Sequence, residues 1–476
     1  MELVTRRQVL KGLLSVGVGA AGASALGACA ATPGGAPAAT VAAPATEAPA
    51  AEQPAAAAGE VPVIEWWSSW SGDAFPMIEK NFNESHDDVQ VRWVNVPGGE
   101  IQSKLFAAIA AGNPPDTSFN IWYFEYSARG LCLPLDDYIA ADPDAGYADG
   151  DIPEPLWKKF EWKGKQYGVP AADTSTRYGL GVNLTLIREA GLDENSLPAT
   201  WDEVFEWHKA LTTYDEAGNI NVLGMIPTSG SDYSAHTIDP WLYPEMWGFH
   251  YFNAEKMQFE IDRPETVEFL NTINKFWADV TPEKVNALNT SLEGQAWGAF
   301  GGGRRALQIT YPSGPGSMVR INPDHEYEWT WVPMPSQRKG TKICTVGGHA
   351  VVIFKGGKNP DATYRFAQFM TRPGACDPLL QVIGWVGPRR SYQDTLDLSQ
   401  RFPERAAEDI WWYTRTALEE ADEVWVEADP IGSVTDAKWK LMREAVIYGD
   451  LGPEEAAQRM QKEMDEELAA FLEETA

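Results

Sequence analysis

The six histidines, His86, His208, His236, His250, His325 and His349, include no HxH or HExxH pair, and the four cysteines include no CxxC. That spacing points to no metal site and no bound cofactor. No GxSxG or P-loop is present, and Gly301-Gly302-Gly303 lacks the following Lys-Ser/Thr of a phosphate cradle. The 68 acidic residues offer many carboxylate pairs, but nothing marks two of them as convergent for glycoside hydrolysis. The informative residues are aromatic. Twenty tryptophans in 476 residues is a high proportion, and a flat apolar ring with one N–H donor serves either a core or a ligand platform.

Position separates the two uses. Ligands of open α/β sheets bind beyond the C-terminal ends of strands. Trp66, Trp67 and Trp70 flank the exit of a first strand, and Trp122 and Tyr123 that of a third. Trp241, Tyr243 and Trp247 cluster in one loop, Tyr311 follows a strand, and Trp385 sits in a late loop. Rings in these places suit the C–H faces of a sugar. Trp93, Trp207, Trp277, Trp329, Trp411 and Trp439 lie in regular segments and read as packing. Polar side chains at the same loop positions would pair with hydroxyls: Ser68, Asp73, Asn120, Asp173, Arg177, His349 and Arg389, with Gly348 letting backbone approach a ligand. From these, Trp67, Trp70, Trp122, Trp241, Tyr311 and Trp385 join the polar group and Gly348 as candidate ligand residues. Each also has an ordinary reading as packing, cap, turn or surface charge.

The elements that must hold these residues alternate. Val63–Trp67 reads as a strand, Ala74–Glu84 as a helix with Phe75, Ile78 and Phe82 on one face, and Val89–Val94 as a strand. Ile101–Ala111 reads as a helix, and Asp116–Tyr123 as a strand with its exit loop. This β-α-β-α-β order is that of an open α/β sheet. Further on, Tyr178–Asn183 reads as a strand, and Thr200 with Glu203 forms a capping box for the next helix. Pro264–Val280 is helical, Arg305–Thr310 a strand, and Tyr311–Gly316 a Gly/Pro loop. Glu328–Val332 and Gly347–Phe354 read as strands. Asp361–Met370 and the segment from Pro453 are helical.

Composition narrows the function class. The formal charge of −30 disfavours nucleic acid and anionic membrane surfaces as partners. Arg6, Arg7 and Lys11 precede an uncharged run from Gly12 to Ala28, the order of an export signal. Thr5–Lys11 resembles a twin-arginine signal, and Leu26-Gly27-Ala28-Cys29 resembles the lipobox of bacterial lipoproteins, in which the Cys becomes lipid-modified. Residues 30–60 are rich in Ala and Pro with no aromatic side chain, the composition of a disordered tether. The remaining Cys132, Cys344 and Cys376 are expected as buried, unpaired thiols.

Beyond the tether, the order of several segments resembles the extracellular solute-binding proteins of ABC importers. Ala107–Asp116 is similar to the family's passage from second helix to third strand, and Gly164–Pro170 to its lead into the crossover between lobes. Gly181–Asn183, Ala190–Leu192 and Pro198–Glu203 resemble its strand–helix–helix run, Gly347–Ala350 its return strand, and Gly384–Arg389 its final cleft loop. Gly303-Arg304-Arg305-Ala306-Leu307 departs from the family's usual Gly-Lys-x-Ala-Met.

The resemblance implies a periplasmic-binding-protein-like α/β fold: two lobes joined by crossing strands, with the ligand cleft between them. The motif order places residues 1–29 as signal and 30–60 as tether, with 61–172 plus 336–383 as lobe one and 173–335 plus 384–476 as lobe two. The expected function is a monomeric binding lipoprotein, held on the outer face of the cytoplasmic membrane through Cys29. It would capture a neutral carbohydrate and pass it to ABC permease subunits, without catalysis. The alternatives are a receptor for another solute, such as a peptide, polyamine or polyol phosphate, and a secreted glycan-acting enzyme.

Overall fold

Strand β1 (Val63–Ser68) alternates: Ile64, Trp66 and Ser68 are buried, while Glu65 and Trp67 on the opposite face are half-buried. The computed structural model describes residues 61–70, 72–173, 175–227 and 242–475. The leader, Cys29, the tether and Trp241 lie outside them. Helix α1 (Ala74–Ser85) buries Phe75, Ile78 and Phe82, the expected stripe, and leads to β2 (Gln90–Asn95). Helix α2 (Ile101–Ala110) leads to β3 (Thr117–Phe119). Both β2 and β3 pair in parallel with β1, so the order is β2-β1-β3.

Two expectations change here. Trp66 is not a strand-exit platform. It is fully buried, with the rings of Phe75, Phe119 and Phe366 at 5.5, 5.3 and 5.2 Å, because the inward phase of β1 falls on it. The loop after β3 is also short, since Tyr123 already opens helix α3 (Tyr123–Ala128).

Strand β4 (Gly168–Ala172) runs to Asp173, and residues 175–178 cross over to feed β5 (Gly179–Asn183). Helix α4 (Trp201–Leu211) carries the expected capping box: Thr200 Oγ1 accepts from Glu203 N at 3.2 Å, and Glu203 Oε2 accepts from Thr200 N at 3.1 Å. Helix α5 (Pro264–Val280) precedes β6 (Leu307–Thr310), helix α6 (Gly314–Ile321) and β7 (Tyr327–Thr330). Strands β6 and β7 flank β5, both antiparallel to it.

Helix α6 corrects the expected Gly/Pro loop. Pro315 fits a first helical turn, and Gly314 and Gly316 are small for packing reasons. A Cβ on Gly314 would lie 3.0 Å from Thr310 Oγ1, and one on Gly316 would lie 3.2 Å from Gly384 Cα. The Arg-rich departure is structural. The buried Arg305 donates to Ile226 O at 2.5 Å, and Arg304 donates to Ile220 O at 2.8 Å.

The chain then returns. Strand β8 (Ile343–Thr345) leads to β9 (His349–Val352), which pairs antiparallel with β4, His349 opposite Ala172. Helices α7 (Pro360–Phe369) and α8 (Pro373–Val382) cover the first sheet. Helix α9 (Glu404–Trp411) follows, and a three-residue strand, β10 (Glu423–Trp425), pairs in parallel with β8. Helices α10 (Gly432–Ile447) and α11 (Pro453–Glu474) close the chain.

Two main cores result. One joins Ile64, Trp66, Phe82, Val169, Val351 and Leu379. The other joins Leu180, Val182, Trp201, Phe269, Leu307, Trp439 and Met464. Three segments cross between them side by side. Arg177 N donates to Thr345 O at 2.7 Å, Gly347 N to Ser175 O at 3.0 Å, and Val346 N to Trp425 O at 2.8 Å. Tyr243 and Trp247, read as possible platforms, lie in the second core. Cys132, Cys344 and Cys376 are buried and unpaired, and burial pushes the thiols of Cys132 and Cys344 up to about 12.

Candidate functional site

The exits of β1, β3, β4 and β6 meet the return strand β9 around a cavity of about 490 Å³. Its aromatic wall is built from separate elements. Trp70, after β1, stands edge-on to His349 at 4.1 Å between centroids and packs on Trp385 at 4.8 Å. Trp122, at the start of α3, rests against Gly432, where a Cβ would lie 3.1 Å from its ring. Tyr311, after β6, stacks under the Arg177 guanidinium at 5.3 Å. Tyr123 O–H and His349 Nδ1 are 3.3 Å apart. Burial, with Arg177 and Lys159 nearby, holds His349 well below the usual imidazole range, so it stays neutral.

Polar groups edge this wall. Asn120 and Asp173 both adopt left-handed backbone, φ 61° and 55°, an uncommon conformation for a side-chain-bearing residue that clusters at binding sites. Asn120 Nδ2 donates to Ser69 Oγ at 2.6 Å, and Gln102 Nε2 donates to Asn120 O at 3.3 Å. Arg177 Nε donates to Tyr178 O–H at 2.8 Å. A Cβ on Gly347 would lie 2.8 Å from Arg177 Cβ, so that glycine makes room for the arginine. Asp173 is 8 % exposed, and its Oδ1 has no hydrogen-bond partner among the described residues. Burial raises its carboxyl to about 7, with Arg177 opposing the rise.

The cavity thus gathers Trp70, Asn120, Trp122, Asp173, Arg177, Tyr311, Gly348, His349 and Trp385 from the expected set. Trp67, Ser68, Asp73 and Arg389 do not line it. Trp67 is on the other face of β1, its indole N–H donating to Glu65 Oε1 at 2.7 Å. Ser68 is fully buried and accepts from Trp70 N at 3.1 Å, which shapes the loop carrying Trp70. Asp73 is exposed ahead of α1. Arg389 is buried elsewhere, bonded to Asp151 at 3.0 Å, Thr371 at 2.7 Å and Asp144 O at 2.7 Å.

Several lining residues were not singled out from sequence: Gln102, Lys159, Ser313, Glu427 and Asp429. Lys159 Nζ pairs with Glu427 Oε2 at 2.8 Å. Asp429 accepts from Ile431 N at 2.9 Å and Thr435 Oγ1 at 2.5 Å, and burial raises its carboxyl to about 7. The Asp429-Pro430 turn before a helix was the available signal for that capping acid. Nothing local distinguishes Gln102 or Lys159 from surface residues.

Residues 71–375 match the model of the bacterial extracellular solute-binding protein family. The chain belongs to that family. Among curated relatives of this solute-binding protein, the maltotriose-binding protein of Pyrococcus abyssi is 24% identical over 343 residues, covering 70% of this chain and 67% of the relative. A protein of Sinorhizobium fredii described as a probable amino-acid ABC transporter periplasmic-binding protein is 24% identical over 358 residues, covering 70% and 74%. The solved structure of CpMnBP1 with mannotriose bound superposes with a TM-score of 0.73 at 20% identity, covering 84% of this chain and 99% of that one. The two-lobed periplasmic-binding-protein fold is therefore shared. Among the described residues, no helix is long and apolar enough to cross a membrane.

Proposed function

We propose that this solute-binding protein captures a neutral carbohydrate and presents it to the permease subunits of an ABC importer, without chemical change to the sugar. The observation that carries this reading is the cavity itself. Trp70, Trp122, Tyr311 and Trp385 offer apolar faces, while Asn120, Asp173 and Arg177 stand where hydroxyls would project. The relatives named for maltotriose and mannotriose fit the same reading. We further propose that the lobes divide at 61–172 plus 336–383 and 173–335 plus 384–476, with the ligand closing them about the crossing segments. Cys29 carries the lipid that holds this monomer to the outer face of the cytoplasmic membrane, with residues 30–60 as its spacer.

Isothermal titration with mono-, di- and trisaccharides, maltotriose and mannotriose included, tests the substrate class. The expected result is one site that saturates with an oligosaccharide. Binding of none of them would overturn it. A second reading, a zwitterionic amino acid or peptide, draws on the carboxyl of Asp173 and the guanidinium of Arg177 sharing one cavity. Binding of such ligands with indifference to saccharides would select it.

A further inference from the structure

Asp173 combines features that ordinary packing does not require. It follows β4 at the start of the crossover, holds φ at 55°, is 8 % exposed, lines the cavity, and leaves Oδ1 without a hydrogen-bond partner among the described residues. A buried acceptor left unsatisfied is costly, and left-handed backbone at a non-glycine adds to the cost. Both costs are offset if a ligand supplies the missing donor.

We propose that Asp173 receives a ligand hydroxyl only as the carboxylate, so that capture of the sugar expels a proton from this side chain. The inference rests on the carbohydrate reading above. A hydroxyl donates more strongly to an ionised carboxylate than to a carboxylic acid, which must itself place a proton. The balance is simple: the protein's Asp173 O–H gives its proton to water or buffer, and the freed oxygens accept from the sugar O–H.

The surroundings allow this proton to be the one that moves. From the same crossover, Arg177 favours the ionised form. From β9, His349 faces the site as a neutral ring. Beside α9, the Tyr413 phenol is held well above its ordinary range and stays protonated. Lys159 is neutralised by Glu427. Asp429 also titrates near neutrality, but both of its oxygens are already bonded within the protein. The Asp173 carboxyl, raised to about 7 by burial, is half protonated at neutral pH.

The test is calorimetric titration of the full chain with maltotriose and with mannotriose, in buffers of different ionisation enthalpy. The expected release is about half a proton per sugar at pH 7, and affinity about tenfold tighter at pH 8 than at pH 6. Asp173→Asn should bind more weakly, release no proton and lose the pH dependence. Circular dichroism confirms its fold, and the wild-type proton count stands without the variant. Binding without proton release would overturn the proposal while leaving the carbohydrate reading intact. A release that survives in Asp173→Asn and vanishes in Asp429→Asn would also overturn it, assigning the proton to Asp429. Where neither trisaccharide binds, the same titration is run with whichever saccharide of the wider panel does, and binding of no saccharide at any pH would overturn both readings together.

Discussion

At the scale of single residues, the cavity depends on rings held by other rings and on one cation, Arg177, given room by Gly347. Trp122 is half-buried at the cavity wall, against Gly432 and the rim of a small apolar cluster, so its loss should affect ligand more than fold. Trp122→Ala is expected to weaken saccharide binding about tenfold, read by titration calorimetry, with the melting temperature nearly unchanged. Gly347 acts at one remove. Its Cβ would push on Arg177 at 2.8 Å. Gly347→Ala should therefore loosen binding by displacing the guanidinium from Tyr311, and adding Arg177→Gly, which removes the clashing Cβ, should relieve the strain without restoring affinity. Of the candidate residues legible in the sequence, Trp70, Asn120, Trp122, Asp173 and Tyr311 follow strands, where position alone implies the cavity, whereas Gly348 and His349 stand at the start of a strand and Trp385 follows a helix. Those not legible there arrive from elsewhere. Lys159 follows a short helix and Glu427 follows a three-residue strand, and their 2.8 Å pairing joins positions far apart in the chain. Arg389 illustrates the reverse error. A loop end is also where a buried ion pair can lock two segments, and Asp151 takes that role.

At the scale of elements, amphipathic segments were legible and short or glycine-rich ones were not. The stripe on α1 and the capping box of α4 are local patterns, and both appear as the sequence implies. Helix α6 reads as a loop because its glycines serve close packing rather than turning, and β10 is too short to show alternation. The capping box yields a direct prediction. Thr200→Ala should cost about 1 kcal/mol in denaturant unfolding and leave ligand affinity unchanged. Helix α9 yields another. Asp409 is buried against β7, accepting from Trp329 N at 3.2 Å, with Oδ2 unpartnered among the described residues. Burial raises its carboxyl to about 8, against an unfolded value of 3.8. A raised folded value means stability is full at low pH and is lost as pH climbs from about 4 to about 8. Asp409→Asn keeps the acceptor and removes the titration, so its melting temperature at pH 8 should exceed wild type by about 2–4 °C, with little gain at pH 4.

At the scale of the whole molecule, two cores are bound by crossings whose backbones hydrogen-bond to one another, so ligand and fold are thermodynamically linked. A saccharide at a hundred times its dissociation constant should stabilise the protein by about 2.7 kcal/mol in thermal unfolding. The same crossings govern when each half can fold during synthesis. Strand β4 waits for β9, whose His349 lies opposite Ala172, and the second core waits for Trp439 and Met464 near the end of the chain. Neither half can be completed from a contiguous stretch as it leaves the ribosome. Each half therefore keeps apolar surface uncovered until those later segments have been made.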